Sequence, residues 1–286
     1  MSSLVIQTSF LGDMVLTTPL LERLAERGAV DVVATPANAE LLAHHPAVRD
    51  VIVFDKRGAA RGFRGIKRLA HQIRWRESES GRELRGAHVA YLAQGSLRSA
   101  WLAILGGVTE RVGFSTSAAR LFYTKQVLYR RDLHHATRLW QLASPTIQEL
   151  PAAALRPSLF PDSAEIGSVG ALLRDSGVAE RESFIALAPG SVWATKRWPS
   201  YAALAKNIAE HRQLGVHRVV VIGGAADRNL ATAIDDELRA AGAPGAIDAT
   251  GKLSLLASAN LISRSVALVT NDSLPLHLAS AVGTPT

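Results

Sequence analysis

The sequence has 286 residues, of which 48% are hydrophobic and 20% are charged, a balance typical of a globular protein long enough for two domains. It contains no cysteine, which excludes disulfides, thiolate metal sites and a cysteine nucleophile. No apolar run approaches the roughly 18 residues of a membrane-spanning helix, and no secretory signal opens the chain. These features favour a cytoplasmic protein.

Short β-branched runs alternate with longer amphipathic stretches, which predicts an α/β fold with parallel sheets and right-handed crossovers. The predicted strands are residues 4–8, 30–35, 51–54, 88–92, 111–114, 184–188, 218–222, 246–248 and 267–270. The predicted helices are residues 14–27, 96–105, 201–211, 229–241 and 253–263.

The formal net charge of +7 is concentrated in residues 56–85, which hold ten Lys or Arg against three Glu. This basic segment is either a solvated helix and loop surface or a surface for an anionic partner, such as a phosphorylated lipid or a membrane face. No recognised nucleic-acid motif accompanies it, so we expect no nucleic-acid partner. Four apolar residues in the segment either rest against lipid or pack on the first domain: Phe63, Ile66, Leu69 and Trp75.

Four of the twelve prolines lie in residues 145–161, which predicts an irregular connection between domains. We therefore expect a first domain at 1–150, a linker at 151–180 and a second domain at 181–286. Two α/β domains of this kind bind ligands in a crevice at the carboxyl ends of their strands. The sequence stops after a predicted helix and before a further strand. We therefore expect the second domain to be incomplete by about two βα units, or ~50 residues.

The turn SFLGD, residues 9–13, follows the first predicted strand. Gly12 permits a tight turn, and Asp13 opens the next helix. Amide dipoles at a helix start stabilise a carboxylate, so Asp13 is either a structural helix-start residue or an ionised general base.

In the second half of the sequence, the predicted strand 184–188 ends in APGS, residues 188–191, which is followed by TKRWP, residues 195–199. Small residues allow the backbone to approach a ligand closely, and Lys196 and Arg197 add positive charge ahead of a helix. The segment suits the diphosphate of a leaving nucleotide, with an exposed basic turn as the alternative.

Gly223 and Gly224 follow another buried strand and suggest a ligand brought close to the backbone. Asp227 then either binds ribose hydroxyls or caps the next helix.

The segment VTNDSLPLHLA, residues 269–279, ends a strand and begins a helix near Ser273. The unpaired amides of a helix start favour a phosphate, and Pro275 fits the first turn. His277 lies one turn along, where it is either structural or directed at the same site.

Several familiar sites are missing from the sequence. It has no GxGxxG, GxxxxGK[ST], GxSxG or HExxH motif, and its two His-His pairs do not have metal-ligand spacing. It also lacks the Asp-x-Asp pair of many metal-dependent sugar transferases. We therefore expect a site without a metal, in which protein cations oppose the diphosphate.

The four segments, in this order and spacing, resemble the heptosyltransferase family of inverting glycosyltransferases along essentially the whole chain. APGS…TKRWP and VTNDSLPLHLA look most like the subfamily that adds the second heptose of the lipopolysaccharide inner core. The resemblance implies the GT-B fold, in which two Rossmann-like domains face a cleft. It also implies an ADP-heptose donor, a lipid A–Kdo core acceptor, and a cytoplasmic enzyme at the inner face of the inner membrane.

The resemblance further implies roles for individual residues. Asp13 is similar to the catalytic base, and Lys196 to the lysine that contacts donor phosphate and sugar. The other implied donor-binding residues are Ser191, Arg197, Asp227, Thr250, Gly251, Asp272, Ser273 and His277. The expected acceptor-binding residues are Ser9, Arg61, Arg64, Lys67, Arg68 and Arg98.

The predicted reaction is a single in-line displacement at the anomeric carbon, with no cofactor and no metal. Asp13 deprotonates the acceptor, while cations and a helix start stabilise the departing ADP. First-heptose transfer or another GT-B transfer is the alternative among enzymes. Outside enzymes, the alternative is a non-catalytic module that binds nucleotides or anionic glycolipids.

Overall fold

The computed structural model describes residues 2–55, 58, 62–77, 83–85, 87–144, 152–211, 215–216 and 218–286. It divides the chain into two compact units, Met1–Ser158 and Leu159–Thr286. Among the described residues, no helix combines the length and apolar character needed to cross a membrane.

The first unit alternates strands and helices. Its strands are β1 (Ser3–Gln7), β2 (Val30–Ala34), β3 (Asp50–Val53), β4 (Trp75–Glu77), β5 (Glu83–Arg85), β6 (Val89–Leu92), β7 (Glu110–Phe114) and β8 (Lys125–Val127). Its helices are α1 (Leu11–Ala25), α2 (Pro36–Leu41), α3 (Gly62–Arg74), α4 (Leu97–Leu105) and α5 (His135–Gln141).

Six of these strands form one parallel sheet in the order β3-β2-β1-β6-β7-β8, while β4 and β5 form a separate antiparallel pair. Every residue of β1 and β2 is buried, as expected for parallel strands covered by helices on both faces. The strand order reverses direction between β1 and β6, so the carboxyl ends of these two strands border a crevice.

Helix α1 contains a proline, Pro19, whose ring nitrogen cannot donate to the Val15 carbonyl one turn earlier. The Thr18 hydroxyl donates to that carbonyl instead, at 2.9 Å. The same hydroxyl oxygen accepts the backbone N–H of Ser158 at 2.9 Å. The Thr18 side chain therefore replaces the hydrogen bond that Pro19 cannot make, and it also binds the backbone of Ser158, the last residue of the first unit.

Helix α3 packs its apolar side inward: Leu69 and Ile73 are buried in the core and Ile66 packs against it. Arg64, Lys67 and Arg68 are exposed. Of the two interpretations of the basic segment's apolar residues, packing on the first domain is therefore correct for Ile66 and Leu69. Arg61 and the side chain of Phe63 lie outside the described residues.

The second unit also alternates strands and helices. Its strands are β9 (Phe184–Ala188), β10 (Arg218–Val221), β11 (Ile247–Asp248) and β12 (Leu268–Thr270). Its helices are α6 (Ser163–Asp175), α7 (Tyr201–Glu210), α8 (Arg228–Ala240), α9 (Leu255–Arg264) and α10 (Leu274–Val282). The sheet is parallel, in the order β11-β10-β9-β12, so its strand order reverses between β9 and β12.

The α/β prediction is confirmed, and each predicted strand overlaps an observed one. The sequence did not predict α2, α5 or the β4 and β5 pair. Two further parts of the chain also differ from expectation. Residues 163–175 of the predicted linker form α6, because Asp162 and Glu165 make a capping box and Val169 and Leu173 are buried. Strand β8 was not predicted, because two of its three residues are exposed at the sheet edge.

Candidate active site

The first unit has a cavity of about 390 Å³ at the carboxyl ends of β1 and β6. Cavities at this point of an open α/β sheet are its usual ligand sites. The lining residues are Gln7, Ser9, Asp13, Ala93, Gln94, Gly95, Phe114, Thr116, Ser117, Ala118, Tyr129 and His135.

Asp13 lies in this cavity, in the first turn of α1. The Ser9 hydroxyl lies 2.8 Å from Asp13 Oδ2 and 2.6 Å from Gln7 Oε1. Because a hydroxyl has one proton, it donates to one of these acceptors at a time. The buried Asn38 amide donates to the Ser9 carbonyl at 3.2 Å, which fixes the turn that carries this hydroxyl.

His135, at the start of α5, faces the same carboxylate. Its Nε2 lies 3.6 Å from Asp13 Oδ1, and its Nδ1 lies 3.4 Å from Nη2 of Arg138. A guanidinium only donates, so Nδ1 must accept and the ring proton belongs on Nε2. In this tautomer, the N–H of His135 is directed at Asp13.

The segment after β6 also lines the cavity. The Gln94 amide donates to the hydroxyl of Thr8 and, at 3.1 Å, to that of Ser99. Gly95 follows, and a Cβ there would lie 3.0 Å from Ser117 Oγ, so a larger residue would have to displace the Ser117 side chain. The segments after β1, β6 and β7 are thereby packed around one polar cavity.

In the second unit, the carboxyl ends of β9 and β12 are joined by the buried Asn271 side chain. Its amide donates to the Pro189 carbonyl at 2.8 Å, and its Oδ1 accepts the N–H of Trp198 at 3.0 Å. The loop after β9 and the turn after β12 are therefore held together by one residue.

An ion pair also joins the loop after β9 to the turn after β12. Lys196 Nζ donates to Asp272 Oδ2 at 2.5 Å, and both side chains are well exposed. The hydrogen bond and positive charge of Lys196, with a smaller contribution from His277, hold the pKa of Asp272 below its ordinary value. Asp272 is therefore ionised at neutral pH and opposite a cation that also suits a phosphate.

Helix α10 begins at Leu274, two residues after Asp272. Its N-cap is Ser273, whose side chain makes no capping hydrogen bond, and Pro275 is in the first turn. The first amides of a helix lack intrahelical partners and favour an anion. Arg197 lies on the neighbouring loop, where its Nε donates to the Ser191 carbonyl at 2.9 Å.

The glycine-rich turn after β10 is packed tightly. Asp227 Oδ2 accepts the Gly224 N–H at 2.9 Å, so its side chain caps the short 3-10 turn before α8. A Cβ on Gly190 would lie 2.4 Å from the Asp227 carboxylate, and Gly223 would also clash with this side chain. Asp227 therefore lies between the glycine turn and the loop after β9.

Thr250 and Gly251 follow β11. Thr250 is fully buried, and its hydroxyl donates to Asp248 at 2.5 Å, so this side chain stabilises the turn. Gly251 has φ +67°, and a Cβ there would lie within 2.9 Å of the Ala225 backbone. The donor-binding role that the resemblance implies for Thr250 and Gly251 stays a prediction.

Comparison with known proteins agrees with this arrangement. The family model described as glycosyltransferase family 9 (heptosyltransferase) matches residues 79–286. The chain belongs to glycosyltransferase family 9. The resemblance inferred from the four segments is thus confirmed at the level of the family.

Three similar proteins place the chain within family 9. Lipopolysaccharide heptosyltransferase 1 of Pseudomonas aeruginosa is 30% identical over 100% of this chain and 77% of its own length. Lipopolysaccharide heptosyltransferase 2 of Escherichia coli is 26% identical over 100% of this chain and 81% of its own. The solved structure of E. coli ADP-heptose lps heptosyltransferase II superposes with a TM-score of 0.78 at 25% identity. It covers 100% of this chain and 83% of that one.

The fold of this family 9 protein places several of the predicted residues together in two groups, one in each unit. Ser9 and Asp13 share the cavity of the first unit, whereas Arg64, Lys67, Arg68 and Arg98 are exposed on α3 and α4 and do not line it. In the second unit, direct contacts join the predicted residues Lys196 with Asp272 and Arg197 with Ser191.

Sequence reasoning missed three polar residues that organise these groups: Gln7, His135 and Asn271. Gln7 lies at the end of a predicted buried strand, where a polar residue is unusual and is itself a signal. In the sequence, His135 stands out only as half of a His-His pair. Asn271 lies in the segment 269–279, where the resemblance implies roles for its neighbours Asp272 and Ser273.

Proposed function

We propose that this family 9 enzyme transfers a heptose from ADP-heptose to the lipopolysaccharide inner core and adds the second heptose. The names of the E. coli relatives supply the ADP-heptose donor and the lipopolysaccharide acceptor. The observation that carries the proposal is Asp13, a half-buried carboxylate in a polar cavity at the point where the first sheet reverses strand order.

In the proposed reaction, Asp13 accepts the proton of the acceptor hydroxyl as its oxygen bonds to the anomeric carbon. Ser9 and His135 contact the carboxylate on its two oxygens and keep it oriented. A positioned base of this kind is effective when its lone pair is directed at the reacting proton.

The donor half of the reaction breaks the bond between the anomeric carbon and the ADP oxygen, and the electron pair leaves with ADP. Lys196, Arg197 and the start of α10 form a positively polarised group suited to that charge. We propose that these groups suffice without a metal ion.

A first-heptose transferase is the second candidate, because the relative with 30% identity is a heptosyltransferase 1. The two candidates act on different acceptors. We propose that either reaction takes place at the cytoplasmic face of the inner membrane, where a nucleotide-sugar donor and a lipid-linked acceptor meet.

Mass spectrometry of two purified inner-core acceptors, one without heptose and one with a single heptose, tests the proposal. After incubation with ADP-heptose, enzyme and a chelator, we expect one heptose to be added to the acceptor that already carries one. Addition only to the heptose-free acceptor would assign the first step. ADP binding without any transfer would indicate a non-catalytic module.

Replacing Asp13 with Asn tests the base. We expect kcat to fall at least about a hundredfold while ADP still binds, because the amide cannot accept the proton. The matched control is Asp132→Asn, an exposed carboxylate of the same unit that pairs with Arg130. If Asp13→Asn retained most of its turnover, Asp13 would be only a helix-start residue.

A further inference from the structure

Helix α4 presents an apolar stripe to solvent. Leu97, Trp101 and Leu105 are spaced four residues apart, so they lie on one face of the helix. Their exposed fractions are 49%, 51% and 38%. The other side of α4 is already buried in the core through Ala100, Leu102 and Ala103, so the stripe is a second apolar face.

A neighbouring turn extends this face. The Phe122 ring lies 5.8 Å from that of Trp101, centroid to centroid, and Leu121 beside it is 84% exposed. We call Leu97, Trp101, Leu105, Leu121 and Phe122 together the Trp101 patch. Isolated exposed apolar residues are common in globular proteins, but a contiguous group of this kind marks an interaction surface.

The two chain segments that carry the Trp101 patch are basic. Between residues 97 and 125 the sequence has four Lys or Arg and one acid, Glu110. Arg98 follows Leu97 on α4, and Arg120 precedes Leu121, and both are exposed.

Helix α3 adds to this charge. It packs beside α4, where a Cβ on Gly106 would meet Ile73, and it contains no acidic residue. Its exposed cations are Arg64, Lys67, Arg68 and Arg74.

A tryptophan and leucines inside a basic rim match the interface of an anionic bilayer. Apolar side chains enter the acyl boundary there, while Arg and Lys stay at the headgroups. Two copies of this chain would instead bring two basic rims together, which opposes self-association through the patch.

Both segments of the Trp101 patch follow closely in the chain after residues that line the Asp13 cavity. Gly95 and Ser117 line this cavity, α4 begins two residues after Gly95, and the turn with Leu121 begins three residues after Ser117. The Leu97 end of α4 and the Leu121 turn are therefore the parts of the patch nearest in the chain to the cavity.

We propose that the Trp101 patch docks the first unit on an anionic membrane surface and presents the Asp13 cavity to lipid-linked acceptors. Membrane docking itself is independent of the proposed function, whereas the presentation of a lipid-linked acceptor to the cavity rests on the proposed function.

Vesicle sedimentation tests docking directly. We expect the full chain to bind vesicles that contain phosphatidylglycerol and to bind pure phosphatidylcholine vesicles more weakly. The variant Leu97→Gln/Trp101→Gln/Leu105→Gln should lose at least about tenfold in vesicle affinity, because three side chains no longer enter the acyl boundary. The matched control is Val53→Gln/Ile166→Gln/Val266→Gln, whose residues are 47%, 48% and 50% exposed outside the patch. Equal binding by the two triple variants would overturn the proposal.

A second measurement does not depend on the triple variant folding. The chain has no cysteine, so Leu121→Cys creates a single site for an environment-sensitive dye. We expect its emission to shift to the blue on addition of phosphatidylglycerol vesicles, with no shift for the control Val266→Cys. A dye at position 121 that stays in water while the protein binds would contradict docking through the patch.

Turnover distinguishes this inference from the proposed function. The patch variant should lose activity on acceptor embedded in vesicles and keep it on acceptor dispersed in detergent. Loss on both acceptors, or a change of oligomeric state in sedimentation velocity, would refute membrane docking. Vesicle binding without any heptose transfer would refute the proposed function and leave the docking inference standing.

Discussion

Lys196 and Asp272 show how single residues join distant parts of the second unit. Lys196 lies after β9 and Asp272 after β12, and their ion pair lies beside the start of α10. Exposed pairs of this kind stabilise a protein only weakly, so a role in stability does not explain the arrangement. We propose instead that Lys196 is held there to bind the diphosphate of the donor.

We expect Lys196→Glu to raise the Kd of ADP at least about tenfold, because a charge-assisted contact is replaced by repulsion. Isothermal titration calorimetry in the presence of a chelator would measure this. Lys206→Glu is a closely matched control: Lys206 has the same 43% side-chain exposure and also faces an acid, Glu237, at 3.7 Å. Equal affinities for the two variants, or a loss of binding on chelation, would remove the assignment.

The sequence could predict Asp13, Lys196 and Asp272 because each lies in a turn directly after a strand, which is a local pattern. It could not predict His135 or Asn271 in their roles. His135 approaches Asp13 only because α5 packs against α1, and Asn271 joins loops that are far apart in the chain. Contacts between distant segments are properties of the packing and leave little trace in local spacing.

At the scale of elements, glycines with positive φ form two turns of the second unit, one after strand β11 and one after helix α8. Gly251 combines a positive φ of +67° with contact between backbones, since its missing Cβ would meet Ala225. Gly242 has a similar φ of +71°, with open space around it. Comparing Gly242 with Gly251 therefore distinguishes the effect of the left-handed backbone conformation from the effect of the close backbone contact.

Substituting each glycine by Ala should therefore give different losses. We expect about 1 kcal/mol for Gly242→Ala from the left-handed conformation alone. Gly251→Ala should cost at least about 1 kcal/mol more, because the methyl group also displaces the Ala225 backbone. Urea unfolding would measure both, and equal losses would show that the turn relaxes freely.

Helix α3 supplies a second prediction at this scale. Replacing Arg64, Lys67 and Arg68 with Gln should raise the acceptor KM at least about fivefold and flatten its salt dependence. The reason is that each cation near an anionic surface contributes roughly 1 kcal/mol. The donor KM should barely move. A control with the same charge change in the second unit is Arg174→Gln/Arg181→Gln/Arg264→Gln, all exposed. A parallel rise of both KM values would make the basic helix a solvated surface only.

At the scale of the whole molecule, the alternation of strands and helices was enough to predict two α/β units, because each buried strand is a short, continuous apolar run. The boundary between them was less predictable. The prolines predicted an irregular connection there. Part of the expected linker instead forms α6, which is stabilised by a capping box and two buried side chains, and proline content carries no information about either feature.

A buried histidine, His45, contacts Ser158 at the end of the first unit. His45 Nδ1 accepts the Ala47 N–H at 3.3 Å, and its Nε2 lies 3.2 Å from Ser158 Oγ. The Ser158 hydroxyl in turn donates to Glu22. Because Nδ1 is an acceptor and the ring is buried, the neutral form is favoured, and burial lowers the pKa of His45 from 6.5 to about 4.

This shift predicts a pH dependence of the free energy of unfolding. Between about pH 6.5 and 4 the unfolded chain binds a proton at His45 that the folded chain does not. Stability should therefore fall as the pH falls, by up to about 1.4 kcal/mol per pH unit in this window. Urea unfolding of His45→Asn should lack this component, whereas the exposed His88→Asn should keep it. A pH dependence that is the same in both variants would refute the assignment.

Thr18 has a consequence for how the first unit unfolds. Its hydroxyl serves the Val15 carbonyl left free by Pro19 and also the N–H of Ser158. The interruption inside α1 and the end of the unit therefore share one atom, and neither can open without exposing a polar group of the other. A proline that would ordinarily weaken its helix thus makes unfolding more cooperative, because fraying at residue 158 and melting of α1 become a single event.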